Sequence, residues 1–158
     1  MTTTQTIEPR IPNIAGTVPE ALQSLQALSK AATRNRDVPH TTHALIHLRA
    51  SQLNGCSFCV QMHTAELREA GEPEEKIATV AAWREAPYFT DAERAALPLA
   101  EAGTRLADRP EPVPDEVWED AARHYDEEAL AALVLSIAGI NAWNRLNVIT
   151  RQPAGSWR

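Results

Sequence analysis

A single all-α domain, a bundle of about six or seven helices, is the architecture this sequence predicts, and three observations predict it. Alanine, leucine, glutamate and arginine dominate, and all four are good helix formers. No stretch of any length alternates apolar and polar residues as a half-buried strand does. Neither a repeat nor a linker divides the 158 residues, a length that suits one domain with a substantial core.

Residues 1–18 read as an extended arm, because Pro9 and Pro12 oppose a helix there. A helical domain follows over 19–151. Its first helix fits 19–34, with Leu22, Leu25 and Leu28 as a buried stripe, and Pro39 blocks continuation. The second fits 41–54, with Leu45, Leu48 and Leu53 among its apolar positions and Gly55 as its natural end. A third starts near Cys56 and closes at Gly71, and Pro73 begins a fourth that reaches Trp83. Thr90 and Glu93 make a capping-box pattern for a fifth helix to about residue 107, which Pro98 should bend. Pro110, Pro112 and Pro114 stiffen the next loop, and a short sixth helix covers 115–124. Asp126 caps a last helix reaching about residue 150, and 152–158 form an irregular tail. On that last helix Leu130, Leu133, Val134, Ile137, Ala138, Asn141, Asn144 and Val148 recur at steps of three and four, and Gly139 would let another helix come close.

Composition narrows the function. With 44% apolar and 23% charged residues the chain has an ordinary globular composition. A formal charge of −6 and the lack of any basic patch argue against a nucleic-acid partner. No run reads as the roughly 18 apolar residues of a membrane-spanning helix, and the start lacks the pattern of a secretory signal. Two cysteines three residues apart are not the framework of a secreted domain. The expected compartment is the reducing cytoplasm, where a close thiol pair points to redox or metal chemistry.

Cys56, Cys59 and His63 are three, four and seven residues apart, so a helix carries all three on one face. Side chains lean towards a helix N-terminus, which brings His63 back over Cys59 and Cys59 over Cys56. The unpaired backbone donors of a helix start stabilise a thiolate, the form that attacks peroxides and disulfides. His63 can take a proton from Cys59 or return one to a leaving oxygen. Other readings stand beside this one. Both cysteines can be small buried hydrophobes with His63 at the surface. Zinc would take Cys56, Cys59 and His63 with a fourth ligand from His40, His43, His47 or His124, although no second pair has zinc spacing. Covalent haem is excluded because Val60, not histidine, follows Cys59. A thioredoxin-type module needs strands feeding the motif, and none are predicted.

The segment from Leu48 through Cys59, with His63, resembles the alkylhydroperoxidase family of the AhpD type, within the wider carboxymuconolactone decarboxylase-like superfamily. The resemblance continues through Ala81-Ala82-Trp83-Arg84-Glu85, through Phe89 to Arg94, and through Ile140-Asn141-Ala142-Trp143-Asn144-Arg145. It implies an all-helical AhpD-like fold that assembles as a homo-oligomer, a trimer or a hexamer. It implies reduction of a hydroperoxide by a cysteine pair cycling between dithiol and disulfide, with no cofactor and no metal, and a thiol-bearing protein reductant, thioredoxin-like or lipoyl. Decarboxylase members lack the redox pair. Peroxidases of this type carry a proton-relay glutamate twelve residues before the first cysteine, where this chain has Ala44. His43 and His47, one turn apart, are candidate substitutes. Glu66, three residues past His63, either orients the imidazole or stands in solvent.

In the working mechanism Cys59, nearest His63, attacks the peroxide and becomes a sulfenic acid, and Cys56 resolves it to a disulfide. The helix start favours Cys56 as the more acidic thiol, so the order of attack stays open, and Gln52 and Asn54 are candidates to line the approach. Thiol–disulfide exchange without peroxide turnover, and a redox-responsive oligomeric protein without turnover, are the alternative functions.

Overall fold

In the computed structural model, which describes residues 5–156, eight α-helices and two 3-10 segments follow one another, and the described residues hold no strand. Asn13 caps a single turn, α1 (Ile14–Thr17), by accepting from the Gly16 N–H at 2.9 Å. Pro19 sits at the first position of α2 (Pro19–Ala32), where its missing N–H costs nothing. Next come α3 (His40–Asn54), α4 (Ser57–Glu69) and α5 (Glu74–Ala78), the last continued by the 3-10 segment Val80–Glu85. Thr90 and Glu93 close a complete capping box on α6 (Asp91–Thr104), which runs on through Pro98 and is followed by the 3-10 segment Leu106–Asp108. α7 spans Asp115–His124, and Asp126 caps α8 (Glu127–Thr150) by accepting from the Ala129 N–H.

The core has two halves that meet on α3. On one side Ile46 joins Ala96, Leu99 and Ala100 of α6, Ala121 of α7, and Leu130, Leu133 and Ile137 of α8. On the other, Ala44, Leu45 and Leu48 pack with Leu67 of α4, Ile77 of α5 and the 3-10 residues Val80 and Trp83. α3 is therefore buried on nearly all sides, between α4, α6 and α8.

Several details depart from the sequence expectation. The arm is not extended throughout, since α1 forms a turn within it, while residues 1–4 of the arm and 157–158 of the tail lie outside the described residues. Leu22 is buried but Leu28 is exposed, because α2 covers α8 with one narrow face. On α8 Val134 and Val148 face outward, and the buried line runs instead through Leu133, Ser136, Ile137, Ile140, Asn144 and Asn147. The close approach to α8 is at Gly103, where an added Cβ would meet Ile137 at 3.1 Å, whereas one at Gly139 would make ordinary contact with Ser29 at 3.7 Å. α8 is also long and apolar enough to cross a membrane by length and composition, with mean hydropathy 1.3 over its best window. Its interspersed asparagines hid this in the sequence. More than half of that window, 56%, is buried inside the domain, and Ser136, Asn141, Asn144 and Asn147 spend their polar groups on neighbouring helices, so α8 serves here as a core helix.

Candidate active site at the mouth of helix α4

Between α3 and α4 the chain must turn within two residues. Gly55 does so in the left-handed conformation, φ 67°, which a residue with a Cβ rarely adopts. Cys56 is the N-cap of α4, its Sγ accepting from the Cys59 N–H at 3.2 Å. The two cysteines form a disulfide, with Cα atoms 5.4 Å apart. Both are buried, and His63 behind them is buried too. The structure thus brings the three sequence-predicted residues together on the first two turns of α4. The cysteines are bonded to each other.

A hydrogen-bonded chain leads from His63 to the surface. His63 Nδ1 and Glu66 Oε2 lie 2.8 Å apart, and the other carboxylate oxygen lies 2.8 Å from Nε2 of His40, a largely exposed side chain. Glu66 therefore orients the imidazole and does not stand free in solvent. Burial pushes its carboxyl up, but the hydrogen bond and charge of His63, with those of His40, outweigh burial and hold it below the ordinary glutamate value. An ionised Glu66 only accepts, so His63 Nδ1 carries a proton and Nε2, buried and without a partner, is left for the reacting groups.

His47 and His43 form a second cluster against this one. The His47 ring lies 4.8 Å from that of His63, centroid to centroid. Ser136 Oγ bridges the two residues, 2.6 Å from His47 Nε2 and 2.9 Å from His43 Nδ1. Ser136 has one proton, so it donates to one imidazole and accepts from the other. Burial, reinforced by the neighbouring His40, lowers the His43 pKa to about 4. Burial and the adjacent His63, His43 and His40 hold His47 well below its ordinary value. Both rings are neutral at physiological pH. Ala44 lies in the apolar core beside Leu45 and Leu67, so no proton path runs through that position.

Two residues that sequence reasoning missed complete the site. Asn147 Nδ2 donates to Cys59 Sγ at 3.3 Å, and Trp143 walls the cavity while its indole donates to Ser29 Oγ at 2.9 Å. Asn141, Asn144 and Asn147 recur at three-residue steps, and that ladder was the available signal. Asn54 proves structural: its amide donates to Asn141 and Asn144 Oδ1 at 3.0 and 2.9 Å, tying the end of α3 to α8. Gln52 does not line the cavity either.

Cys59, His47 and His63 open onto a cavity of about 250 Å³ walled by Phe58, Met62, Ile140 and Trp143. Cys56 lines a different space. His47, His63 and Glu66 offer ligand atoms within 4.8 Å of one another, the set best suited to a metal ion among the described residues. Each already has a protein partner: Ser136 for His47, Glu66 for His63, and both His63 and His40 for Glu66. Chemically the arrangement can form and break a disulfide, stabilise a thiolate on Cys59, and move a proton between the cavity and the surface.

Known proteins match most of the chain. The family model described as the carboxymuconolactone decarboxylase family matches residues 19–102. Over 138 residues the chain is 39% identical to the uncharacterised protein YdfG of Bacillus subtilis, spanning 87% of this chain and 92% of that one. It is 34% identical over 111 residues to the uncharacterised protein YnjA of Escherichia coli, 70% of this chain and 59% of that one. Among solved structures, a protein of unknown function from Agrobacterium tumefaciens, described as a candidate AhpD antioxidant defence protein, superposes with a TM-score of 0.86 at 37% identity, over 93% of this chain and 98% of that one. The debrominase Bmp8 shares the fold, with a TM-score of 0.80 at 23% identity over 94% and 78% of the two chains.

Proposed function

The chain belongs to the carboxymuconolactone decarboxylase family, and from that membership we propose that it is a thiol-dependent peroxidase of the AhpD type. One observation carries the reading: the Cys56–Cys59 disulfide sits at the mouth of α4 with Cys59 opening onto the same cavity as His63. Family membership alone would not select this activity, because decarboxylase relatives lack the redox pair.

In the reduced protein His63 Nε2 accepts the Cys59 thiol proton, and Asn147 Nδ2 stabilises the thiolate. Cys59 Sγ attacks the terminal oxygen of a hydroperoxide. The O–O bond breaks, the alkoxide takes the proton back from His63 and leaves as an alcohol, and Cys59 becomes a sulfenic acid. Cys56 then attacks that sulfur, the disulfide forms, and the hydroxyl leaves as water with the thiol's proton. An external dithiol supplies two electrons and two protons to restore the pair. Glu66 and His40 link His63 to solvent, in place of the relay glutamate whose position holds Ala44. The walls of Phe58, Met62, Ile140 and Trp143 favour an organic hydroperoxide over hydrogen peroxide. A second copy of the chain is proposed to seat on the outer face of α8, where Val134 and Leu135 are exposed. The proposed setting is the reducing cytoplasm.

The test is consumption of cumene hydroperoxide with dihydrolipoamide as the only reductant. Turnover lost in Cys59→Ser supports the peroxidase. Turnover of a small disulfide with no loss of peroxide makes the protein a thiol–disulfide oxidoreductase. Neither activity leaves a redox-responsive protein without turnover.

A further inference from the structure

The two cysteines of the disulfide line different spaces. Cys59 lines the apolar cavity with His47 and His63, while Cys56 lines a groove of about 580 Å³ with Glu8, Ser57, Val148 and Arg151. The groove exists because the N-terminal arm folds back over the end of α8. The Arg10 N–H donates to the Thr150 carbonyl at 2.8 Å, and Gln152 Nε2 donates to the Ile11 carbonyl at 3.0 Å. Asn147 lies between the two spaces and lines both. Its Nδ2 is spent on Cys59 Sγ, and its Oδ1, in a side chain only 2% exposed, has no partner.

We infer that the groove beside Cys56 is the binding site of the reductant, a slender polar dithiol that enters by a different mouth from the peroxide and attacks Cys56. This deepens the peroxidase reading and rests on it. A nucleophile attacking a disulfide approaches one sulfur in line with the bond and expels the other. From the groove the sulfur reached is Cys56 Sγ. The reductant's first thiol gives its proton to solvent and attacks as a thiolate: a reductant–Cys56 bond forms, the Cys56–Cys59 bond breaks, and Cys59 leaves as a thiolate onto the waiting Asn147 amide. The reductant's second thiol, its proton passing to solvent, then attacks the reductant's own first sulfur. That expels Cys56 as a thiolate, which takes a proton from water. Two electrons have moved from the dithiol to the protein, and the reductant departs as a disulfide. The free Asn147 Oδ1 is an acceptor for the reformed Cys56 S–H.

The groove also selects the class of reductant. Neither cysteine exceeds 2% exposure, so the flat face of a folded protein cannot reach Cys56, whereas a thiol on a narrow chain can. Glu8, Ser57 and Arg151 suit a chain carrying amide or hydroxyl groups, unlike the apolar walls on the Cys59 side.

Two measurements test this, and neither uses a peroxide, so a failed peroxidase assay leaves them intact. First, oxidised wild-type protein is mixed with glutathione, quenched with N-ethylmaleimide and mapped by tandem mass spectrometry. Glutathione on Cys56 with maleimide on Cys59 is expected, and the reverse distribution overturns the inference. Second, the rate of disulfide reduction by dihydrolipoamide is compared in Val148→Trp, which fills the groove, and Met62→Trp, which fills the cavity mouth. Both positions are exposed. A loss at least tenfold greater in Val148→Trp is the expected result. Equal losses, or a greater loss in Met62→Trp, overturn it.

Discussion

Asn147 Nδ2 donates to Cys59 Sγ at 3.3 Å, and this single contact joins the 24-residue helix α8 to the cysteine that shares a cavity with His47 and His63. In the disulfide the sulfur is a weak acceptor. In the thiolate it becomes a charged one, and a hydrogen bond to a charged group contributes about 1.5–3 kcal/mol. Asn147→Leu should therefore raise the Cys59 thiol pKa and slow its alkylation by iodoacetamide at neutral pH by roughly ten- to a hundredfold. Asn147→Asp should slow it further, because it sets a carboxylate against the thiolate. The pH dependence of alkylation, followed in a Cys56→Ser background, reads both effects.

Glu66 acts through His63 and touches no reacting atom. Glu66→Gln keeps an oxygen that can accept from His63 Nδ1 but loses the charge that stabilises an imidazolium. A roughly tenfold or greater fall in peroxide turnover is expected, within the range for a general acid–base group. Glu66→Asp should recover part of it. His40→Ala should cost less, since His40 is 62% exposed and its loss leaves the His63–Glu66 bond intact. Steady-state kcat/KM for the three variants orders them, and equal losses in all would contradict the assignment.

The redox helix was legible in the sequence because its signal is local: a glycine turn, a cap and three residues on one helical face. The partners on other helices were less legible, because packing and not local spacing brings them in. Glu66 and His47 stood in the sequence as candidates with open alternatives, and only packing shows Glu66 shared by His63 and His40. Asn147 escaped because the reading of α8 ran through Val134 and Val148, which face outward. A shift of one residue along a helix turns the apparent face by about 100° and carries Asn147 and Ser136 inward. The blocks that made the chain resemble a known family were recognised without their purpose. Arg49 of the first and Trp83 and Arg84 of the second meet on Glu101, and Asn54 of the first meets Asn141 and Asn144 of the last. These contacts hold α3 and α8 at the mouth of α4.

Acid should unfold the protein earlier than its carboxylates alone predict. The unfolded chain protonates His43 near its ordinary value of 6.5, while the folded protein resists until about 4. Between these limits the unfolded state binds more protons, so stability falls as pH drops from 6.5 towards 4 and levels off below. His47 acts in the same direction. Urea midpoints measured across this window should decline steadily in wild type and less steeply in His43→Gln. A wild-type midpoint that stays constant over the window would contradict burial of both rings in the neutral form.

Glu101 makes the strongest stability prediction. Its carboxylate, 6% exposed, accepts from Arg49 Nε at 2.7 Å, from the Trp83 indole at 3.0 Å and from Arg84 Nη2 at 2.6 Å. Burial opposes its charge, but the hydrogen bonds from Arg84, Trp83 and Arg49, together with the Arg49 charge, hold the carboxyl below its ordinary value. Removing it leaves the Arg49 guanidinium, with 15% of its side chain exposed, unpaired inside the protein. Breaking a buried pair from one side costs about 3–5 kcal/mol. Glu101→Ala should lose that much in urea unfolding. Glu101→Gln, which keeps an acceptor without the charge, should lose less. The double variant Glu101→Leu with Arg49→Met should recover much of the loss, because it removes the stranded cation together with its partner. No recovery in the double variant would mean that the carboxylate acts through Trp83 and Arg84 and not through α3.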